Sequence, residues 1–386
     1  MTTPLRSQQQ SVPSQRAEWL RFCKTLLLMM VPAFLVLIGG LEWLGWSTGE
    51  TYTPRALARA LDQNPNFVWM PLRIQAAAAL KLGMVDEERP DILLMGHSRI
   101  QEVKPAIFRP YSAYNLAAVM WPFNTYTDLL FHLPDGYRPK IIFFTVDFFM
   151  FGSKYDEHFR AIAPVYGHGL SENIYHLHDV LASLSLAPDL FWRRTDKSGR
   201  PALGIGALEG RPVFVKDGTG LGSLKMMSVA GTSPDALMND GWKDGVTGGD
   251  KMGASEMADL KAFVDLGRKM GIVMVAVQMP IYGPVLRSME RDPQYAILKD
   301  FQSHEANGYF ASIGLPFFDY LKFLPFSEDY HYFIDPLHPG QPLSAAVIAA
   351  MASDPRIHSA LPRLDIEELH RQFDEQRSWS QHILLN

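Results

Sequence analysis

Asp335 and His338 stand three residues apart in the stretch His331-Tyr-Phe-Ile-Asp-Pro-Leu-His-Pro-Gly340, just ahead of a turn and a helical pattern. An imidazole beside a carboxylate can take a proton from a hydroxyl nucleophile, because the carboxylate holds the ring in one tautomer and stabilises the imidazolium that forms. A nucleophile is available far upstream. The stretch Pro90-Asp-Ile-Leu-Leu-Met-Gly-His-Ser-Arg99 is a short apolar run that reads as a buried strand, followed by Gly96 and Ser98. Each residue has a plainer use: a Ser after a strand is a good helix N-cap, and an Asp before Pro bonds nearby backbone in a turn. Their order along one chain favours a triad, with Ser98 as nucleophile, His338 as general base and Asp335 as the residue that orients it.

Such groups need a scaffold that brings them together from opposite ends of the chain. Short apolar runs at 91–95, 113–116, 140–146, 272–277 and 315–318 alternate with helical patterns at 124–133, 254–270, 292–307 and 342–352. Strands alternating with helices predict a parallel, doubly wound sheet in a three-layer α/β domain over residues 89–360. The loops after its first and last strands meet at the carboxyl edge. Residues 153–253, rich in Gly, Pro, Ser and Asp, read as a long surface insertion. Residues 361–386 read as a charged helical tail, and 47–88 as a helical connector.

The N-terminus is of a different kind. Residues 25–41 are uncharged and apolar, and Trp43, Leu44 and Trp46 extend them toward membrane-spanning length. Arg16, Arg21 and Lys24 precede the run, and no small-residue cleavage site follows it. Basic residues on that flank predict a cytoplasmic tail over 1–24, a single transmembrane signal anchor over 25–46 and an extracytoplasmic, periplasmic bulk.

Several classes are excluded by composition. A net charge of −5 over 386 residues provides no basic field for nucleic acid. One cysteine, Cys23, rules out an intrachain disulfide and a multi-thiolate metal site. His168, His176, His178 and Asp179 offer ligand types, yet they lie in the insertion without a second cluster. The run Gly204-Ile-Gly-Ala-Leu-Glu-Gly210 misses dinucleotide spacing. No metal or cofactor is expected.

Gly96-His-Ser-Arg99, Tyr114-Asn-Leu-Ala117, the run 141–147 with the aromatics that follow it, Gln278-Met-Pro280 and Asp335-Pro-Leu-His338 together resemble the SGNH/GDSL hydrolase superfamily. The likeness is greatest to its membrane-anchored extracytoplasmic branch, which includes alginate O-acetylation proteins and the D-alanyl-lipoteichoic acid biosynthesis D protein. It covers roughly residues 88–152 and 254–352. The resemblance implies the same triad, with one oxyanion N–H from Ser98 and a second from the position of Met120. The family's third block, Gly-x-Asn, corresponds to Thr145-Val-Asp147, and an ionised Asp accepts hydrogen bonds but donates none. Arg99 or Asn115 stand as alternative donors, and Asp147 as a residue that holds the loop or the acceptor sugar.

The implied activity is O-acyl transfer, most simply acetyl transfer to a cell-surface or exported polysaccharide through an acyl-serine. A multi-spanning membrane-bound O-acyltransferase would supply the acyl group. An esterase or deacetylase of envelope glycans, and a silent carbohydrate-binding scaffold of an acylation complex, are the alternatives.

Overall fold

The computed structural model describes residues 15–118, 122–152, 170–221, 249–371 and 374. The N-terminal apolar run lies within one helix, α1 (Gln15–Thr48), with Pro32 inside it. At 1.5 Å per residue its 34 residues span about 50 Å, more than the ~30 Å of a hydrocarbon core. The helix is long and apolar enough to cross a membrane, and its most apolar stretch is not buried by the rest of the chain.

The segment from 47 to 88 holds α2 (Pro54–Gln63), strand β1 (Val68–Trp69) and α3 (Ile74–Glu88). Thr53 caps α2 by accepting the Ala56 N–H, and Pro54 occupies the first turn, where its missing N–H costs nothing. The main domain then runs through β2 (Ile92–Met95), β3 (Ala113–Asn115), α4 (Phe123–Phe131) and β4 (Ile141–Thr145). Next come α5 (Leu170–Leu186), β5 (Ala202–Leu203), α6 (Ile205–Glu209), β6 (Val213–Phe214) and β7 (Gly220–Leu221). The chain returns through α7 (Ala254–Lys269), β8 (Val273–Gln278), α8 (Gly283–Arg291), α9 (Ala296–Ala306), α10 (Tyr309–Ser312) and β9 (Phe317–Asp319). Strands β10 (Phe333–Asp335) and β11 (His338–Pro339) and helices α11 (Gln341–Ala352) and α12 (Pro355–Ala360) follow.

Strands β2, β4 and β8 carry almost unbroken apolar runs, the pattern of strands covered on both faces. They form a parallel five-stranded sheet of order β3-β2-β4-β8-β9. Successive residues of β2 feed opposite cores. Leu93 and Met95 join Tyr126 of α4 and Phe263 of α7, while Ile92 and Leu94 join Ile348 and Met351 of α11. Leu361, Leu364 and Leu369 are buried in the second core, so the described start of the tail packs on the domain.

Two sequence expectations need correction. The connector is not purely helical: β1 is the hub of a second, four-stranded sheet of order β5-β1-β6-β7. The described part of the insertion is not a surface excursion either, because it supplies the other three strands and buries Leu190, Ile205 and Leu208. Strands of two residues show no measurable period, and their apolar residues look like isolated pieces until the partner strand from residue 68 is beside them.

Candidate active site

The main sheet starts at an interior strand, β2, and winds outward with β3 on one side and β4 on the other. At such a reversal the loops diverge and leave a crevice beyond the carboxyl ends of the strands. Ser98 follows β2 by three residues. Gly96 makes this possible: its φ is +143°, and a Cβ there would lie 2.2 Å from Thr145 Oγ1 on β4. The backbone thus passes against the neighbouring strand where no side chain fits. Ser98 then opens a 3₁₀ turn and is partly exposed, whereas His97 and Arg99 on either side are buried.

The third partner arrives from β10–β11, a small antiparallel pair in which Asp335 faces His338. His338 Nε2 lies 2.6 Å from Ser98 Oγ, and His338 Nδ1 lies 2.7 Å from Asp335 Oδ2. The other carboxylate oxygen, Oδ1, accepts the N–H groups of Leu337 at 2.9 Å and His338 at 3.0 Å. One side chain therefore shapes the turn and aligns the imidazole. With Nδ1–H donated to the carboxylate, Nε2 presents a lone pair to the Ser98 hydroxyl. Burial alone would raise the Asp335 carboxyl. The positive potential of His338 and its ring and backbone hydrogen bonds outweigh burial and hold the carboxyl below its ordinary value.

A second histidine and carboxylate brace Ser98 from behind. His97 Nε2 is 2.6 Å from Asp147 Oδ2, and its Nδ1 accepts the Arg99 N–H at 3.3 Å. These partners require a neutral ring protonated on Nε2. Burial pushes the His97 imidazole in that direction, against the pull of Asp147. Asp147 also pairs with the Arg99 guanidinium, so one carboxylate holds both neighbours of Ser98. Arg99 reaches further still. Its Nε donates to the Leu337 carbonyl at 2.9 Å, and Nη2 donates to the carbonyls of Met279 and, at 2.7 Å, Pro280. A single buried side chain ties together the loops that follow β2, β4 and β8 and the turn that carries His338. Its planar fork of fixed donors suits this use better than a lysine would.

Two of the alternatives proposed for the third block therefore find their donors engaged. The described donors of Arg99 point to carbonyls and to Asp147. The Asn115 amide donates to the carbonyls of Ile100, Gln101 and Val103, while its Oδ1 accepts the Ala117 N–H at 2.9 Å. Asn115 stitches β3 to the segment after Ser98 and is fully buried. Asp147 holds the loop. Met120 lies outside the described residues. Ser98 is the first residue of its 3₁₀ turn, so its N–H has no partner within that turn.

Lys81 was not singled out by sequence, yet it is a principal brace. It is fully buried, and its ammonium donates to the carbonyls of Asn115 at 3.0 Å, Ala117 at 2.8 Å and Gly218 at 2.9 Å. The same nitrogen lies 3.7 Å from the centroid of the Phe214 ring. Burial pushes this amine well below its ordinary range, and Asp217 pulls it back. Gly218, with φ +81°, lies so close that a Cβ would be 2.1 Å from the Asn115 carbonyl oxygen. The loop leaving β3 is thus clamped onto the second sheet. A signal was present: Lys81 falls in phase with Ala77, Ala78, Met84 and Val85 on the apolar face of α3.

Among the described residues no group of three or more His, Cys, Asp or Glu side chains is placed to hold a metal ion. Asp179 pairs with Arg73 at 2.6 Å, and His168 lies outside the described residues. Comparison of the chain with protein-family models, with curated proteins and with solved structures finds no match.

Proposed function

We propose that this chain is a membrane-anchored, extracytoplasmic serine-dependent O-acyltransferase of SGNH type, built on that superfamily's three-layer α/β fold. The observation that carries the reading is the series Ser98 Oγ, His338 Nε2, Asp335, with steps of 2.6 Å and 2.7 Å. In the first half-reaction Ser98 Oγ attacks the acyl carbonyl and its proton passes to His338 Nε2. The Ser98 N–H faces the oxyanion. Collapse expels the donor's leaving group, which takes the proton from His338 and leaves an acyl-serine. An acceptor hydroxyl then attacks, His338 removes its proton, and the proton returns to Ser98 as the ester departs.

The anchor and the family likeness support a polysaccharide acceptor outside the cytoplasm and a membrane-bound O-acyltransferase as donor. Hydrolysis follows the same course with water as acceptor, so an esterase or deacetylase of envelope glycans differs only in that step. The test uses the full chain in vesicles, with p-nitrophenyl acetate as donor. An acyl adduct on Ser98 by mass spectrometry, and loss of turnover in Ser98→Ala, are expected. Full turnover in Ser98→Ala overturns the nucleophile, and complete inactivity of the parent protein favours the silent scaffold. Faster transfer to an oligosaccharide than to water distinguishes transferase from esterase.

A further inference from the structure

The last two turns of α1 do not stand clear of the domain. Leu41, Leu44, Gly45 and Thr48, spaced three or four apart on one face, are buried against it, while Trp43 and Trp46 point outward. The exit is then fastened. The Thr48 carbonyl accepts the Gly204 N–H at 2.7 Å. Glu50 accepts the Leu72 N–H at 2.8 Å through one oxygen and the Ile205 N–H at 2.7 Å through the other. The domain surface around these residues therefore lies at the depth where α1 leaves its apolar surroundings.

The bend between α5 and β5 is held beside this exit at both ends. On one side Asp179 of α5 pairs with Arg73, the residue after Leu72, at 2.6 Å. On the other, Arg193 Nη1 donates to the Leu208 carbonyl at 2.8 Å, and Leu208 lies one turn, about 6 Å, from the Gly204 that Thr48 holds. Leu190 is fully buried as a peg between the two ties. On the outside of the bend, Leu186 is 87% exposed and Trp192 is 76% exposed. Isolated exposed apolar residues are ordinary on a protein surface, so what distinguishes these two is their place. Residues 187–200 also carry four basic side chains against two acidic ones, the balance that anionic headgroups attract. Tryptophan favours the boundary between headgroups and acyl chains.

We propose that Leu186 and Trp192 form a shoulder that dips into the headgroup region of the bilayer that α1 enters. The shoulder is a second, shallow membrane contact that sets the orientation of the α/β domain and its crevice relative to the lipid surface. This rests on α1 being a membrane span and is independent of the chemistry at Ser98.

The test uses the full chain with Cys23→Ser, carrying Leu186→Cys or Trp192→Cys labelled with an environment-sensitive fluorophore. It is reconstituted in phosphatidylcholine vesicles containing phosphatidylglycerol. Phe131→Cys, on α4 of the main domain, is the reference. Expected are blue-shifted emission at 186 and 192, quenching by lipids brominated on their acyl chains, and iodide quenching several-fold weaker than at 131. Iodide quenching equal to that at 131, with no effect of brominated lipid, overturns the proposal. Protection from iodide without quenching by brominated lipid also overturns it, because protein then covers the shoulder. Failure of the chain to float with vesicles would refute the anchor itself, and this outcome is read separately from the label.

Discussion

Asp147→Asn removes one charge and almost no volume, so it isolates what the brace behind Ser98 contributes. Asp147 has no exposed surface, and His97 and Arg99 are each 2% exposed. Water cannot replace the lost partner. An amide in this place turns its NH2 toward either the His97 Nε2–H or the Arg99 guanidinium, donor against donor, and the guanidinium keeps its charge without a counter-ion. Breaking a buried pair by removing one partner costs about 3–5 kcal/mol. For a domain of this size that is a fall in Tm on the order of 10 °C. Ser98 shifts with its neighbours, and a displacement near 1 Å costs about 100-fold in turnover.

Asp335→Asn should show the opposite balance. Its side chain is 15% exposed, so the stability loss stays near 1–2 kcal/mol. Turnover falls about 10,000-fold because the imidazole adopts the wrong tautomer. Thermal unfolding followed by circular dichroism, paired with p-nitrophenyl acetate turnover well below the transition, separates the two variants. Wild-type Tm in Asp147→Asn refutes the bracing role. Turnover as low as in Asp335→Asn at an unchanged Tm would place Asp147 in the chemistry instead.

Gly96→Ala meets Thr145 Oγ1 and a backbone conformation that costs a Cβ-bearing residue about 1–3 kcal/mol, so turnover and Tm should both fall. Thr145→Ala removes the oxygen but leaves the Cβ contact at 3.1 Å and the φ of +143°. The double variant should therefore recover part of the lost Tm, and no recovery would show that the overlap is not what excludes a side chain. Just after α1, burial raises the Glu50 carboxyl to about 7, against the N–H bonds of Ile205 and Leu72 that lower it. The folded chain thus holds a proton that the unfolded chain releases. The stabilisation is complete below about 4.5 and is lost as pH rises through about 7. Glu50→Gln should flatten the pH dependence of Tm across that window, and an unchanged slope would assign it to other groups.

The long apolar and helical patterns were legible because hydrophobic period reports burial directly. The strands read at 91–95, 140–146 and 272–277 appear as Ile92–Met95, Ile141–Thr145 and Val273–Gln278. The helices read at 254–270 and 342–352 appear as Ala254–Lys269 and Gln341–Ala352. The pattern read at 292–307 splits into a 3₁₀ turn over Pro293–Tyr295, capped by the Asp292 side chain, and helix α9 over Ala296–Ala306. The second sheet was not legible. Its strands are two residues long and come from segments more than a hundred residues apart, so no local pattern marks them.

The chemistry divides in the same way. Residue type and order along the chain nominated Ser98, Asp335 and His338, and the fold brings these three side chains into hydrogen-bond contact. The apolar run and its basic flank likewise marked α1 as a candidate span on their own. What Asp147, Arg99, Asn115 and Lys81 do was decided only by the tertiary structure. A buried polar side chain takes whatever partners the packed chain leaves within hydrogen-bond reach, and those partners are carbonyls and loops brought together by the sheet rather than by sequence.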